Sequence, residues 1–254
     1  MAARIRHSRM ARPTLGVVIP TADAAAFALW LDAAACGSAS PDDVVTALGG
    51  LTISGWDGAD NSGTALSLVA ASLPRSGKPI EVILALSVPG DPGPLVGPAD
   101  VVRDAALAGA AVVIRPLDIC LLPPLNGDTW SAHRIDSTVI GLPDLRDAEQ
   151  MLKRSIRESA DAIEALDVAA GRDRVDPALL DRRRRPMPPG LEGRRVALLN
   201  TALGVCAVLD AAAIDPGAAL SASAQSARSE VLRDLGRAAR RAVEAAAGSA
   251  HSPR

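Results

Sequence analysis

The stretch Lys78-Pro-Ile-Glu-Val-Ile-Leu-Ala-Leu-Ser-Val-Pro-Gly-Asp-Pro-Gly-Pro-Leu-Val-Gly-Pro98 decides the fold. Its segment Val82–Val88 is almost wholly apolar and stops at the cluster Pro89-Gly90-Asp91-Pro92-Gly93-Pro94. An aliphatic run without alternation suits a strand covered on both faces, and a Pro/Gly cluster terminates it. Downstream, Pro98-Ala-Asp100 opens a short helix to about Leu107, and Ala111-Val-Val-Ile114 is a second buried strand broken by Pro116. Ile119–Leu122 and Thr129–Ile135 flank Asn126-Gly127, a hairpin signal between apolar runs. Strand, helix, strand and hairpin together predict a small mixed sheet.

Upstream, Thr21 or Asp23 caps a helix carrying Phe27, Trp30 and Leu31, which ends at Gly37. Ser40-Pro41-Asp42-Asp43 starts a second helix to about Leu48, with carboxylates at the positive end of its dipole. Leu51–Ser54 is a short strand, and Thr64–Leu73 is read as a helix for its Ala and Leu, although its length also permits a strand. From Asp144 the period becomes helical: Leu145, Ala148, Leu152, Ile156, Ile163 and Leu166 form one stripe, and Glu149–Lys153 is a favourable i,i+4 pair on the other face. This helix ends near Ala170-Gly171, and Asp176-Pro177 starts a short one to about Arg183. Arg194–Leu209 is apolar enough to be buried. A final helix puts Leu232, Leu235, Ala239, Ala242 and Ala246 on one side and Arg228, Arg233, Arg237, Arg240 and Arg241 on the other. The expected fold is α/β, with α+β as the alternative. A basic tail (1–13) precedes an α/β-type unit (14–140), a helical subdomain (141–248) packs on it, and a disordered tail (249–254) follows.

With 254 residues, 48% of them apolar, the chain can bury a sizeable core. One Phe, three Trp and no Tyr leave that core to Leu, Val, Ile and Ala. A net charge of −2 supplies no field to draw the chain to nucleic acid or an anionic membrane. Cys36, Cys120 and Cys206 are too far apart for a Cys-x-x-Cys site and read as reduced, buried thiols of a cytoplasmic protein. Arg4, Arg6, Arg9 and Arg12 before Leu15–Ile19 imitate an export signal, but Pro20, Asp23 and Asp32 interrupt the apolar stretch. Val196–Leu209 contains Asn200 and Thr201 and reads as too short to span a bilayer.

No motif fixes a chemistry. The Pro89–Pro94 loop is the most distinctive candidate: Gly90 and Gly93 amides could hold an anion, and Asp91 a metal or a substrate hydroxyl. Prolines remove amide donors there, and a rigid turn is the simpler account. Arg115 and His133 are candidate helpers, and His133 is the only histidine within the expected fold, suited to acid–base work. Asp57, Asp60 and Asn61 depart from EF-hand spacing and read as a surface turn. Trp56 and Trp130 could line a pocket but are normally packing residues. Arg182–Arg185 with Arg194 and Arg195 could bind phosphate or RNA, but no aromatics are interleaved, and a solvated linker is the default. No metal site and no cofactor are expected.

The strand and VPGDPGPLVGP loop of residues 78–98, the segment Ala160–Ala169, the long helix after Pro188-Pro189-Gly190 and the Arg/Ala-rich Leu232–Ala242 together resemble an alanine-rich family of uncharacterised actinobacterial proteins. The resemblance runs from about Ile80 to Gly248 and implies no activity, cofactor or catalytic residue. The expected function is a non-catalytic binding or scaffold protein that self-associates through Ala-rich helices. The alternative is an enzyme or binding domain for a small anionic or phosphorylated molecule at the Pro89–Pro94 loop, with nucleic-acid binding a distant third.

Overall fold

The computed structural model describes residues 21–56, 58, 63–74, 79–125, 128–136, 141–165, 185–214 and 222–249. Asp57, Asp60 and Asn61, the Asn126-Gly127 turn, the short helix expected after Asp176, Arg182–Arg184, the basic tail 1–13 and the residues after 249 lie outside them.

The sheet is mixed and has six strands: β1 (Thr52–Ser54), β2 (Gly63–Ala65), β3 (Glu81–Ala85), β4 (Ala111–Arg115), β5 (Ile119–Leu122) and β6 (Thr129–Arg134). Their order is β2-β1-β6-β5-β4-β3, with β1–β6 parallel and the other pairs antiparallel. Val82 and Leu84 join the large core on one face, while Ile83 and Ala85 join a smaller cluster with Val113, Cys120 and Leu122 on the other. That double burial is what the unbroken aliphatic run predicts.

Seven helices are described: α1 (Thr21–Ala35), α2 (Pro41–Leu48), α3 (Leu66–Ser72), α4 (Ala99–Ala108), α5 (Leu145–Ala165), α6 (Gly193–Ile214) and α7 (Ala222–Ala247). α1 is buried almost all round and lies on β3 and β4, so its alanines bring backbone close to sheet. Phe27 of α1 stacks on Trp130 of β6, ring centroids 3.8 Å apart, which makes Trp130 a core residue rather than a pocket wall. Trp56 packs half-buried against the same core. α2 begins with a capping box: Ser40 Oγ accepts from the Asp43 amide and Asp43 accepts from the Ser40 amide. Among the described residues, α4 supplies the helical cover to the second sheet face, through Val101 and Ala105.

β3 is an edge strand, and the C-terminal end of α7 seals it. Ser249 donates its amide to the Val82 carbonyl at 2.9 Å, and the Leu86 amide donates to Glu244 Oε1 at 2.7 Å. Groups that would recruit a foreign strand are thereby satisfied from within. Arg195 of α6 caps α7 in turn, its Nη1 3.0 Å from the carbonyls of Ala245, Ala246 and Gly248. Burial depresses the Arg195 guanidinium, opposed by the charges of Asp32 and Glu192.

Four expectations need correction. The strand stops at Ala85 rather than Val88, because the chain leaves the sheet toward the Val88–Asp91 turn. The segment read as one helix from Thr64 divides into β2 and α3, since Gly63–Ala65 pairs with β1 before the apolar Leu66 turns inward. Cys36 is exposed, just past the end of α1, while Cys120 and Cys206 are buried as expected. Finally, α6 is buried along one side only. Ala197, Asn200, Thr201 and Val208 are exposed, and with its alanine extension Gly193–Ala213 is long and apolar enough to cross a membrane by length and composition.

Candidate functional site

The Pro89–Pro94 loop is built as a tight turn. Val88 and Asp91 exchange both backbone hydrogen bonds at 2.9 Å, with Pro89 and Gly90 at the corners and Gly90 at φ 84°. Pro then Gly at these corners is the type II pattern, which needs a residue that tolerates positive φ at the second. Ser87 Oγ donates to the Pro92 carbonyl at 2.9 Å and pins the next residues. The glycine amides are therefore part of a rigid turn.

Asp91 is spoken for by α7. Its Oδ1 accepts from Arg241 Nη2 at 2.5 Å and from the Gly93 amide at 3.3 Å, and its Oδ2 accepts from Arg240 Nη2 at 3.0 Å. Arg237 Nε lies 3.8 Å from Oδ2. Burial works against the charged carboxylate, but the Arg240 hydrogen bond, the Arg241 charge, the Gly93 amide and the Arg240 charge outweigh it and hold its pKa below the usual range. A carboxylate so engaged can take up a metal or a substrate hydroxyl only by surrendering ion pairs.

Behind Asp91 sits Glu244, fully buried in a mostly alanine stretch of α7. It accepts from the Leu86 amide and, at 2.8 Å, from Arg241 Nη1, so Arg241 bridges the two carboxylates. Burial pushes the Glu244 carboxyl up to about 7, opposed by Arg241 and the Leu86 amide and reinforced by the Asp91 charge. Gly93 passes so near that a Cβ there would stand 2.9 Å from Glu244 Oε1 and 3.1 Å from Arg241 Nη1. The loop, the end of β3 and α7 are thus tied by one charged chain. Glu244 could not be found from sequence, because it lies far along the chain from Asp91 and amid alanines.

Beside this latch opens a groove of about 770 Å³ between the loop, the segment Gly141–Pro143, α5 and α7. Pro94, Leu142, Pro143 and Met151 line it together with Arg154, Arg237 and Arg241, and with Glu158 and Asp234.

The other candidates do not join this site. β3 and β4 are antiparallel and Glu81 pairs with Arg115, so Arg115 lies at the strand end opposite Asp91, where it forms a 3.3 Å ion pair with Glu81. His133 is on β6, with β5 and β4 between it and β3, and its Nε2 lies 3.0 Å from Ser131 Oγ. Asp91, Arg115 and His133 therefore make no common constellation. Arg194 pairs with Glu149, Arg185 pairs with Asp23, and Arg195 caps α7, so three arginines of the basic segment serve the packing of helices. Among the described residues no group of three His, Cys, Asp or Glu could hold a metal ion.

Family models for the N-terminal and C-terminal domains of Rv1486c-like proteins match residues 24–144 and 146–244. Two curated relatives from Mycobacterium tuberculosis, uncharacterized protein Rv1486c of strain ATCC 25618 / H37Rv and uncharacterized protein MT1533 of strain CDC 1551 / Oshkosh, are each 26% identical over 230 residues. Each alignment covers 72% of this chain and 80% of the relative. The match begins well before Ile80, so the likeness reaches into the N-terminal helices that the quoted motifs leave out. No solved structure matches. Both halves of the chain are matched in order and over most of its length, and the chain belongs to the Rv1486c-like protein family.

Proposed function

We propose that this is a non-catalytic, cytoplasmic binding or scaffold protein that associates with a second copy of itself through α6. The observation that carries the reading is the mismatch between the composition of α6 and its surroundings. Gly193–Ala213 is predominantly apolar, yet only 28% of its most apolar window is buried. Leu198, Leu199, Ala202 and Cys206 face the core, and Ala197, Thr201 and Val208 are left on an outer line. Small side chains on such a line let two helix backbones approach closely, and exposed apolar surface in contiguous form is what a partner covers. Asn200 and Asp210, both exposed on the same helix, favour a protein partner over lipid.

Light scattering behind size exclusion, run over a wide concentration range, tests this. The mass should rise from monomer to dimer with concentration, and Thr201→Arg with Val208→Arg should hold it at monomer without lowering the melting temperature. A wild-type chain that stays monomeric throughout, or one that partitions into vesicles, overturns the reading.

A further inference from the structure

We propose that the groove between α5, α7 and the Pro89–Pro94 loop binds a small amphipathic anion: a single phosphate or carboxylate head held by Arg154 and Arg237, with a hydrocarbon body over Leu142, Pro143 and Met151. This stands apart from self-association, which uses a different face. Four observations support it. First, about 770 Å³ lies within the range of small-molecule sites. Second, the floor is apolar, and Met151 is 46% exposed in it. A large apolar side chain left open to water gains from being covered, and Met adapts to the shape that covers it.

Third, the cations differ in how firmly they are held. Arg241 is fixed between Asp91 and Glu244 at 2.5 and 2.8 Å and forms a rigid back wall. Arg237 is held loosely, 3.8 Å from Asp91 and 3.7 Å from Asp234, with more than half its side chain in solvent. Arg154 is exposed and has no ion-pair partner among the described residues. Two guanidiniums are therefore available for a head group, to which arginine presents a planar pair of donors. In the wall behind them, the two guanidiniums of Arg240 and Arg241 face the two carboxylates of Asp91 and Glu244, so that wall is balanced and leaves Arg154 and Arg237 to meet an incoming anion. Fourth, Glu158 and Asp234 flank the same groove. They oppose a long polyanion and leave a compact single head as the anion that fits.

Calorimetric titration of the intact protein with octyl phosphate and octanoate is the test, with inorganic phosphate, octanol and octyltrimethylammonium as comparators. Octyl phosphate or octanoate should bind saturably at one site per chain, octanol and inorganic phosphate much more weakly, and the cation not at all. Arg154→Ala with Arg237→Ala should weaken binding at least about tenfold, the loss of one charge-assisted contact. Both side chains are solvent-exposed, so melting curves should coincide with wild type. Met151→Glu should abolish binding of the tailed anions. Absence of binding, equal binding of octanol, or an affinity unchanged in the double arginine variant overturns the proposal.

Discussion

Replacing Glu244 by Gln isolates the charge at the centre of the latch. The amide keeps the shape and can still accept from the Leu86 N–H, but it cannot ionise. In the native chain burial raises the Glu244 pKa from 4.5 to about 7. Between those values the folded protein holds a proton that the unfolded chain has released, so stability is fully present below about 4.5 and is lost as pH rises through about 7. At about 1.4 kcal/mol per pKa unit, the loss approaches about 3 kcal/mol. Asp91 is depressed, so its contribution is lost only as pH falls below the ordinary carboxylate range, outside this window. Urea unfolding followed by tryptophan fluorescence, with Trp130 in the core as reporter, measures the effect from about pH 5 to about pH 8.5. Wild type and Glu244→Gln should be nearly equal at the acidic end, and the variant should be the more stable by up to about 3 kcal/mol at the alkaline end. Parallel curves, or a variant weakened equally at every pH, would show that the ion pair with Arg241 outweighs burial and would refute the reasoning.

Gly93→Ala should destabilise the fold by about 1–3 kcal/mol, because φ is 71° and the added methyl meets Glu244 and Arg241. An unchanged melting temperature would mean that the loop does not press on α7. In the folded protein a thiol reagent should modify Cys36 alone, slowly at neutral pH, since burial and the Asp32 charge raise its pKa. Cys120, pushed up to about 12, and Cys206 should react only on unfolding, and mass spectrometry of the native labelling reaction reads the difference.

Much of the architecture was legible because local signals and tertiary packing agree in it. Two proline-bounded aliphatic runs became β3 and β4, side by side and covered on both faces. The Ser40 capping box and the turn residues of Pro89–Gly90 acted where they stand in the chain. The site was only half legible. Asp91 and the arginines of the last helix are conspicuous in the sequence, but their pairing spans some 150 residues.

What the order of residues settled on its own was therefore whatever depends on near neighbours: apolar period, caps, glycine at positive φ and the mixed character of the sheet. What folding alone decided was whatever depends on distant segments meeting. Antiparallel pairing sent Arg115 to the end of the sheet away from Asp91. Burial of Glu244 made an ordinary carboxyl titrate near neutrality. One side of α6 stayed exposed against the expectation from its apolar composition. Composition states what a helix would gain from burial, but only the rest of the chain determines whether there is a surface to bury it against.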